Sequence, residues 1–259
     1  MNIINPFVFS GPQSGSYYLD GAGDAIFIPT LDSLLASTNF TISYWVKYDQ
    51  AGNASGDSSH FLGGVRGGSG DTFYFPGMVG TQNYTFMKVN NSAQNLNIAH
   101  NLSGTNPSPW FMMTITCEAN GSGNPILKIY VNNSLKATRS DINSTNWATW
   151  EAGGAKFGIG GLSIQNNVNA TFDMLGHVAE VSVWDEDLSA PAIAQIYSSM
   201  ISGSPVDHTH NVGNYTSSSN LAHYFRFKAG SVLVNEGTVG GSAELKGDPV
   251  HTLTTHPTI

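Results

Sequence analysis

The chain has 259 residues, of which 40% are hydrophobic and only 11% are charged. A sizeable core can be buried, but coiled coils and helical bundles are disfavoured because their surfaces need many Glu, Lys and Arg residues. The net charge of −8 argues against nucleic-acid binding, since contacts to phosphate need clustered basic residues. No apolar run approaches the length of a membrane span, so membrane insertion is not expected. The one cysteine, Cys117, excludes an internal disulfide and a Cys-based zinc site.

Alternation of apolar and polar residues with period two is the dominant pattern. It is clearest over residues 40–47, where Phe40, Ile42, Tyr44 and Val46 share one face and Trp45 lies on the other. A tryptophan on the more polar face indicates that this face is also partly covered.

The first alternating segments flank residues 21–24 and predict a short β-hairpin. Asn132 and Asn133 allow the positive φ of a second hairpin turn. Further short strands are predicted at residues 60–65, 72–75, 84–89, 110–116, 126–131, 134–137, 157–160, 177–184 and 221–227. Many short strands separated by turns predict an all-β fold, a two-sheet antiparallel jelly-roll sandwich.

One short helix is predicted after the last strand of this set. Ser189 suits the N-cap, Pro191 suits the first turn, and Ile193, Ile196 and Tyr197 share one face at helical spacing. The helix is expected to lie on the sandwich.

The predicted organisation has three parts: an N-terminal arm (1–16), the jelly-roll domain (17–199), and a linker with a C-terminal extension (200–259). Residues 198–220 are rich in Ser, Gly, Asn and His, which is typical of a linker. The last thirty or so residues either form an extended arm or pair back onto the sandwich or a partner. The sandwich is expected to be complete without the two terminal segments.

Five segments, taken in their order along the chain, resemble the segments of a known family. They are YLDGAGDAIFIP (18–29), FTISYWVK (40–47), Trp110 followed by MTIT, LKIYVN (127–132), and LGHVAEVSVW (175–184) followed by Leu188 and Ser189. In this order they resemble the laminin-G-like, concanavalin A-like jelly roll shared by pentraxins, many lectins and some glucanases. The resemblance implies the same sandwich, whereas function varies among its members. Two departures are Ala179, where the family usually has an Asp that can anchor a cation, and Asn133 in place of a hairpin glycine.

Catalysis is not expected. Glycoside hydrolysis needs two carboxylates facing one cleft, roughly 5 to 9 Å apart. The glucanase branch supplies them as Glu-x-Asp-x-x-Glu, and this spacing is missing. The acidic run Asp185-Glu186-Asp187 precedes the predicted helix, where negative charge is favourable.

Sugar binding in sandwich lectins uses an aromatic platform together with amide and carboxylate groups. Trp147 and Trp150 lie in a polar, loop-like stretch and are the leading candidates; the alternative is that they cover the edge of the core. Gln82 and Asn83, next to Tyr84, form a second candidate group, for which a polar turn entering a strand is the alternative.

Calcium is the one cofactor that the sequence suggests. Asp20, Asp24 and Glu180 could converge if the opening hairpin lies beside the closing strand, and calcium prefers such hard oxygen ligands. The alternative is turn-forming aspartates and a solvated glutamate. His208 and His210 could bind a metal only with a third ligand, so a solvated linker is favoured there.

Composition also suggests the kind of particle to which the protein belongs. Asn/Gly/Ser/Thr-rich chains with few charges, no signal peptide and an N-terminal Asn-Pro-Phe-Val-Phe resemble structural proteins of phages and aquatic viruses. The sequence therefore predicts a non-catalytic virion surface protein, made in the host cytoplasm, that decorates the particle or adheres to host glycans. Its expected partners are other virion proteins, copies of itself in a homo-oligomer, and cell-surface glycans. A soluble lectin is the first alternative and an inactive relative of a glucanase is the second.

Overall fold

The computed structural model describes residues 15–28, 34, 37–49, 59–61, 63–66, 72–74, 77–79, 82–89, 92–97, 108–142, 156–164, 167–168, 174–228, 233–253 and 257. For the strands within residues 59–97 and 162–168, the structure describes the pairing of the backbone. The strands are β1 (Ser16–Asp20), β2 (Ala25–Ile28), β3 (Phe40–Tyr48), β4 (Ser59–Phe61), β5 (Gly63–Arg66), β6 (Thr72–Tyr74), β7 (Gly77–Val79), β8 (Gln82–Val89), β9 (Ser92–Asn97), β10 (Phe111–Ala119), β11 (Pro125–Val131), β12 (Ser134–Arg139), β13 (Phe157–Ile159), β14 (Leu162–Ile164), β15 (Asn167–Val168), β16 (Leu175–Trp184), β17 (Leu221–Phe225), β18 (Glu244–Lys246) and β19 (Val250–Thr252).

These strands form two sheets. Sheet 1 has the order β12-β11-β10-β3-β16-β1-β19, and β17 also pairs with β16. Sheet 2 has the order β18-β2-β13-β5-β6-β8-β7-β4, with β14 also on β5, β15 on β14 and β9 on β8. Among the described pairs, β14 and β5 run parallel and the others run antiparallel. The predicted all-β jelly-roll sandwich is confirmed.

The segment from β1 to β2 is a crossing between the sheets, so the predicted hairpin is wrong. β1 pairs with β16 and β19 in sheet 1, whereas β2 pairs with β13 and β18 in sheet 2. Leu19 and Ile26 nevertheless enter the same core between the sheets. Alternation reports the buried face of each strand but not its hydrogen-bonding partner.

Sheet 1 has a core on each of its faces. Phe40, Ile42, Tyr44 and Val46 point into the core between the sheets, as their alternation predicts. Trp45 points outward into a second core. The prediction that this outer face is covered is therefore confirmed.

A helix, α1 (Ala190–Ile201), covers part of that outer face. Ser189 Oγ accepts a hydrogen bond from the Ala192 amide at 3.3 Å, and the first turn contains proline, as predicted. Ile193 and Ile196 are buried, and Tyr197 stacks on Trp45 with ring centroids 5.7 Å apart. Across the described ranges, no helix combines the length and the apolar character needed to cross a bilayer.

The C-terminal sixty residues complete both sheets. β17 and β19 belong to sheet 1 and β18 belongs to sheet 2. Before them, Val206, His208 and Tyr215 are buried beside the second core. The predicted solvated linker is therefore wrong at His208, which is buried, whereas His210 is exposed. The last strands pair back onto the sandwich, which is one of the two predicted alternatives for this segment. The apolar residues of this segment are too widely spaced to produce a periodic pattern, and only the tertiary fold buries them.

Candidate functional site

Three carboxylates meet where β1 ends. Asp20, Asp24 and Asp248 each place one oxygen within 4.8 Å of the other two. Asp24 is buried; its Oδ2 accepts a hydrogen bond from the Asp20 amide at 2.9 Å and its Oδ1 accepts one from the Asp248 amide at 2.8 Å. Asp24 thereby joins the crossing between the sheets to the turn that precedes β19.

This carboxylate cluster has the donor chemistry of a calcium site. Burial raises the pKa of Asp24, and the two amide hydrogen bonds oppose that shift. Three hard oxygen donors fit the preference of Ca²⁺, and a cation would offset their mutual repulsion. The hydrogen bonds of Asp24 also fit the alternative role of a turn anchor. The structure brings the predicted Asp20 and Asp24 together, and it adds Asp248 in place of Glu180.

Glu180 lies instead in a buried contact with the C-terminal segment. It has a φ of 49° at an irregularity of β16, between Ala179 and Ser182, and only 3% of it is exposed. The Tyr224 hydroxyl donates a hydrogen bond to Glu180 Oε2 at 2.8 Å, and Arg226 Nε lies 3.9 Å from Oε1. Glu180 is therefore neither a ligand in the carboxylate cluster nor a solvated residue.

The buried contact continues into the segment that follows α1. Arg226 Nη1 donates to Asp207 Oδ2 at 3.2 Å, and His208 stacks on Tyr224 with ring centroids 4.6 Å apart. Burial lowers the pKa of His208 to about 3, so the imidazole is neutral near pH 7. Ser182 Oγ is 2.8 Å from His208 Nδ1, but both residues are buried, so this Ser–His pair is closed to a substrate.

An aromatic row crosses the outer face of sheet 1 near the carboxylate cluster. It consists of Tyr18, His177 and Trp110. Tyr18 pairs in register with His177, and His177 with Lys47. The His177 ring centroid lies 5.0 Å from that of Tyr18 and 6.0 Å from that of Trp110. Asp49 Oδ2 lies 3.9 Å from His177 Nε2, which places a carboxylate beside the row.

The row is partly open to solvent at the Tyr18 end. Tyr18 and Lys47 are half-buried, whereas the His177 side chain is 12% exposed. Burial raises the pKa of Tyr18, and the charges of Asp49, Asp20 and Asp24 add to the shift. The Tyr18 hydroxyl therefore keeps its proton near pH 7 and can donate a hydrogen bond.

His177 is held in its neutral form at the centre of the row. Burial lowers its pKa; the charge of Asp49 raises it and that of Lys47 lowers it further. A neutral imidazole can both donate and accept a hydrogen bond. Sequence reasoning assigned these residues to strands and missed the row. The available signal was that Tyr18 and His177 occupy outward positions of their alternating segments.

The binding residues predicted from sequence are not brought into a described site. Trp147 and Trp150 lie outside the described residues. Gln82, Asn83 and Tyr84 lie in β8 of sheet 2, opposite Val79, Met78 and Gly77 of β7, and their side chains are outside the description. Their part in ligand binding stays a prediction.

A carboxyl pair lies at the far end of sheet 1. Glu118 and Asp187 lie near enough to shift each other's pKa, and Lys128 forms an ion pair with Glu118. Burial raises the pKa of Asp187, as does the nearby Glu118, whereas Lys128 lowers the pKa of Glu118. Glycosidase carboxyls are roughly 5 Å or more apart, which leaves room for the sugar or a water molecule.

A family model described as the concanavalin A-like lectin/glucanases superfamily matches residues 20–194, which is more than half of the chain. The chain belongs to this family, and the resemblance seen in the sequence is confirmed. Comparison with curated proteins finds no match.

Comparison with solved structures finds several similar chains. A candidate carbohydrate-binding protein from Bacteroides ovatus is 13% identical with a TM-score of 0.58, over 93% of this chain and 60% of that one. The NanB sialidase from Streptococcus pneumoniae is 14% identical with a TM-score of 0.52, over 70% of this chain and 27% of the sialidase. The SAP-like pentraxin from Limulus polyphemus is 13% identical with a TM-score of 0.47, over 72% and 83% of the two chains. The chain thus spans less than two thirds of the first two proteins, and at their identities the likeness to these two is one of fold.

Proposed function

We propose that this protein is a non-catalytic carbohydrate-binding protein whose glycan site includes the aromatic row. The single observation that carries the proposal is the row itself, because it joins aromatic rings to polar groups on the outer face of a lectin-type sheet. The Bacteroides protein, which covers most of this chain, supports the same class of ligand.

The side chains of the row match the mixed chemistry of a sugar. The half-buried ring of Tyr18 offers apolar surface to the C–H face of a pyranose, whereas Trp110 is 8% exposed and belongs to the second core. Asp49 accepts hydrogen bonds from hydroxyl groups, whereas Lys47 donates them, and His177 can do either. A few polar groups around an apolar surface are what fixes the orientation of a small ligand.

A glycan array followed by titration calorimetry tests the proposal. Tyr18→Ala should weaken binding of the selected glycan at least tenfold, because the most open ring of the row is lost. Leu135→Ala is the matched control, since Leu135 is 51% exposed in β12 of the same sheet and outside the row. Trp150→Ala tests the site predicted from sequence.

The outcomes test separately whether the protein binds a glycan and whether the glycan binds at the aromatic row. No bound glycan on the array contradicts the function. Binding that survives Tyr18→Ala and is lost in Trp150→Ala contradicts the location in the row. Release of reducing sugar from β-glucans by the purified chain would overturn the non-catalytic assignment.

We also propose, from the composition, that the protein is a homo-oligomer on the surface of a virion and contacts other virion proteins. Its support is the low-charge, Asn/Gly/Ser/Thr-rich composition. Sedimentation of the purified protein measures the oligomer. Mass spectrometry of purified virus particles tests the setting, and absence of the chain from particles of the source virus contradicts it.

A further inference from the structure

An open cleft of about 530 Å³ lies between the C-terminal half of α1 and the segment that follows it. It is on the helix side of the molecule and shares no residue with the aromatic row. Its walls are formed by Gln195, Ser198, Ser199, Ser202, Ser204, Pro205, Val206, Asp207 and Val212.

Two serine hydroxyls of the cleft direct their hydrogens into the helix. Ser198 Oγ donates to the Gln195 carbonyl at 3.2 Å, and Ser202 Oγ donates to the Ser199 carbonyl at 2.8 Å. A hydroxyl whose hydrogen is engaged keeps only acceptor lone pairs. These two groups therefore present acceptors to a ligand.

Groups that favour a cation also border the cleft. It lies at the C-terminus of α1, where the helix dipole is negative, and the last turn contains no basic residue. Asp207, with 40% of its side chain exposed, adds a carboxylate. Arg226 contacts this carboxylate but also lies beside Glu180, so the three side chains together carry one negative charge. His210 Nδ1 lies 4.0 Å from Asp207 Oδ1.

The opposite wall of the cleft is apolar. Val212 is 45% exposed, and Pro205 and Val206 continue its surface. Ser204 and Gln195 also line the cleft. Acceptors and negative charge thus face a short apolar wall.

We propose that this cleft binds an alkylammonium group, that is, a protonated primary amine on a short aliphatic chain. The ammonium group donates three hydrogen bonds, and the serine oxygens and Asp207 accept them. The aliphatic chain packs on Val212 and Pro205. The group can come from a free diamine or from a lysine side chain of a partner protein.

The test uses the full chain at pH 7 and NMR titrations with n-butylammonium chloride and its neutral counterpart, n-butanol. We expect n-butylammonium to shift the amide signals of residues 195–212 in a saturable manner, with at least tenfold weaker binding of n-butanol. Titration with 1,5-diaminopentane and with Nα-acetyl-lysine amide distinguishes the two sources. Stronger binding of either one supports the proposal and identifies the source.

Val212→Lys supplies a competing ammonium group at the rim of the cleft and should weaken n-butylammonium binding at least tenfold. Val239→Lys is the matched control, because Val239 is 40% exposed and is not part of the cleft. The Val212 side chain is exposed, so the variant is expected to fold, and the dispersion of its amide signals checks this. Equal binding of n-butanol, shifts outside residues 195–212, or unchanged binding in Val212→Lys would overturn the proposal.

Discussion

Replacement of Arg226 by methionine tests how the C-terminal segment is attached. Arg226 lies between Glu180 and Asp207, and the side chains of Arg226 and Glu180 are 7% and 2% exposed. Methionine keeps most of the volume but leaves the Glu180 carboxylate buried without a cation. Removal of one partner from a buried ion pair costs about 3–5 kcal/mol. The Tyr224 hydroxyl still donates to Glu180 at 2.8 Å. We therefore expect a loss near the lower end, about 3 kcal/mol in the free energy of unfolding.

Urea unfolding followed by tryptophan fluorescence measures this loss, and an unchanged m-value shows that the same surface unfolds. The double variant Glu180→Gln with Arg226→Met should lose less than the sum of the single variants, because no buried charge is then left alone. Lys128→Met is the control: it breaks the more exposed pair with Glu118, and we expect at most about 1 kcal/mol. An Arg226→Met loss no larger than the control loss, or full additivity in the double variant, would refute the reasoning.

Three further predictions concern stability. Burial lowers the pKa of His208 to about 3 and that of His223 to about 4. As the pH falls, the two histidines are therefore protonated in the unfolded chain before they are protonated in the folded one. Each then lowers the free energy of unfolding by about 1.4 kcal/mol per pH unit between pH 6.5 or so and its pKa in the folded state. Urea unfolding between pH 7 and 5 should show this slope, and a slope that does not become shallower in His208→Gln would contradict it. Asp24→Asn should lower the free energy of unfolding by about 1–3 kcal/mol in thermal unfolding, because a buried carboxylate that accepts two amide hydrogen bonds is replaced. Asp248→Asn should lower it by about 0.5 kcal/mol or less without Ca²⁺. Equal losses in the two variants would argue against the anchoring role of Asp24. A rise in Tm with millimolar Ca²⁺ that is absent in Asp248→Asn would identify the carboxylate cluster as a cation site. A chain ending at residue 199 should show poor amide dispersion in NMR, because it lacks the residues that cover Trp184; a well-dispersed spectrum would show that the sandwich folds without them.

Most strands and the helix could be predicted from local patterns in the sequence. The segment from Phe40 to Val46 alternates, and its inward and outward faces are those of the structure. Ser189 and the apolar spacing after it predict α1, because capping and helical periodicity act over a few residues. Such signals are short-range, and they need no knowledge of the rest of the chain.

The candidate site could be predicted only in part. Asp20 and Asp24 are close in sequence, so their proximity follows from the turn between them, whereas Asp248 arrives through pairing of the C-terminal strands. Glu180 departs from its expected place because β16 is irregular there. Tyr18 and His177 become neighbours because of the register of two strands that are far apart along the chain.

The sequence by itself determined the all-β class, the strand faces, the helix and the resemblance to the family, because each depends on the identity and spacing of neighbouring residues. Only the tertiary structure decided that β1 and β2 belong to different sheets and that the residues after α1 complete the fold. These outcomes depend on which distant segments bury one another's apolar and polar groups. No local pattern records that choice.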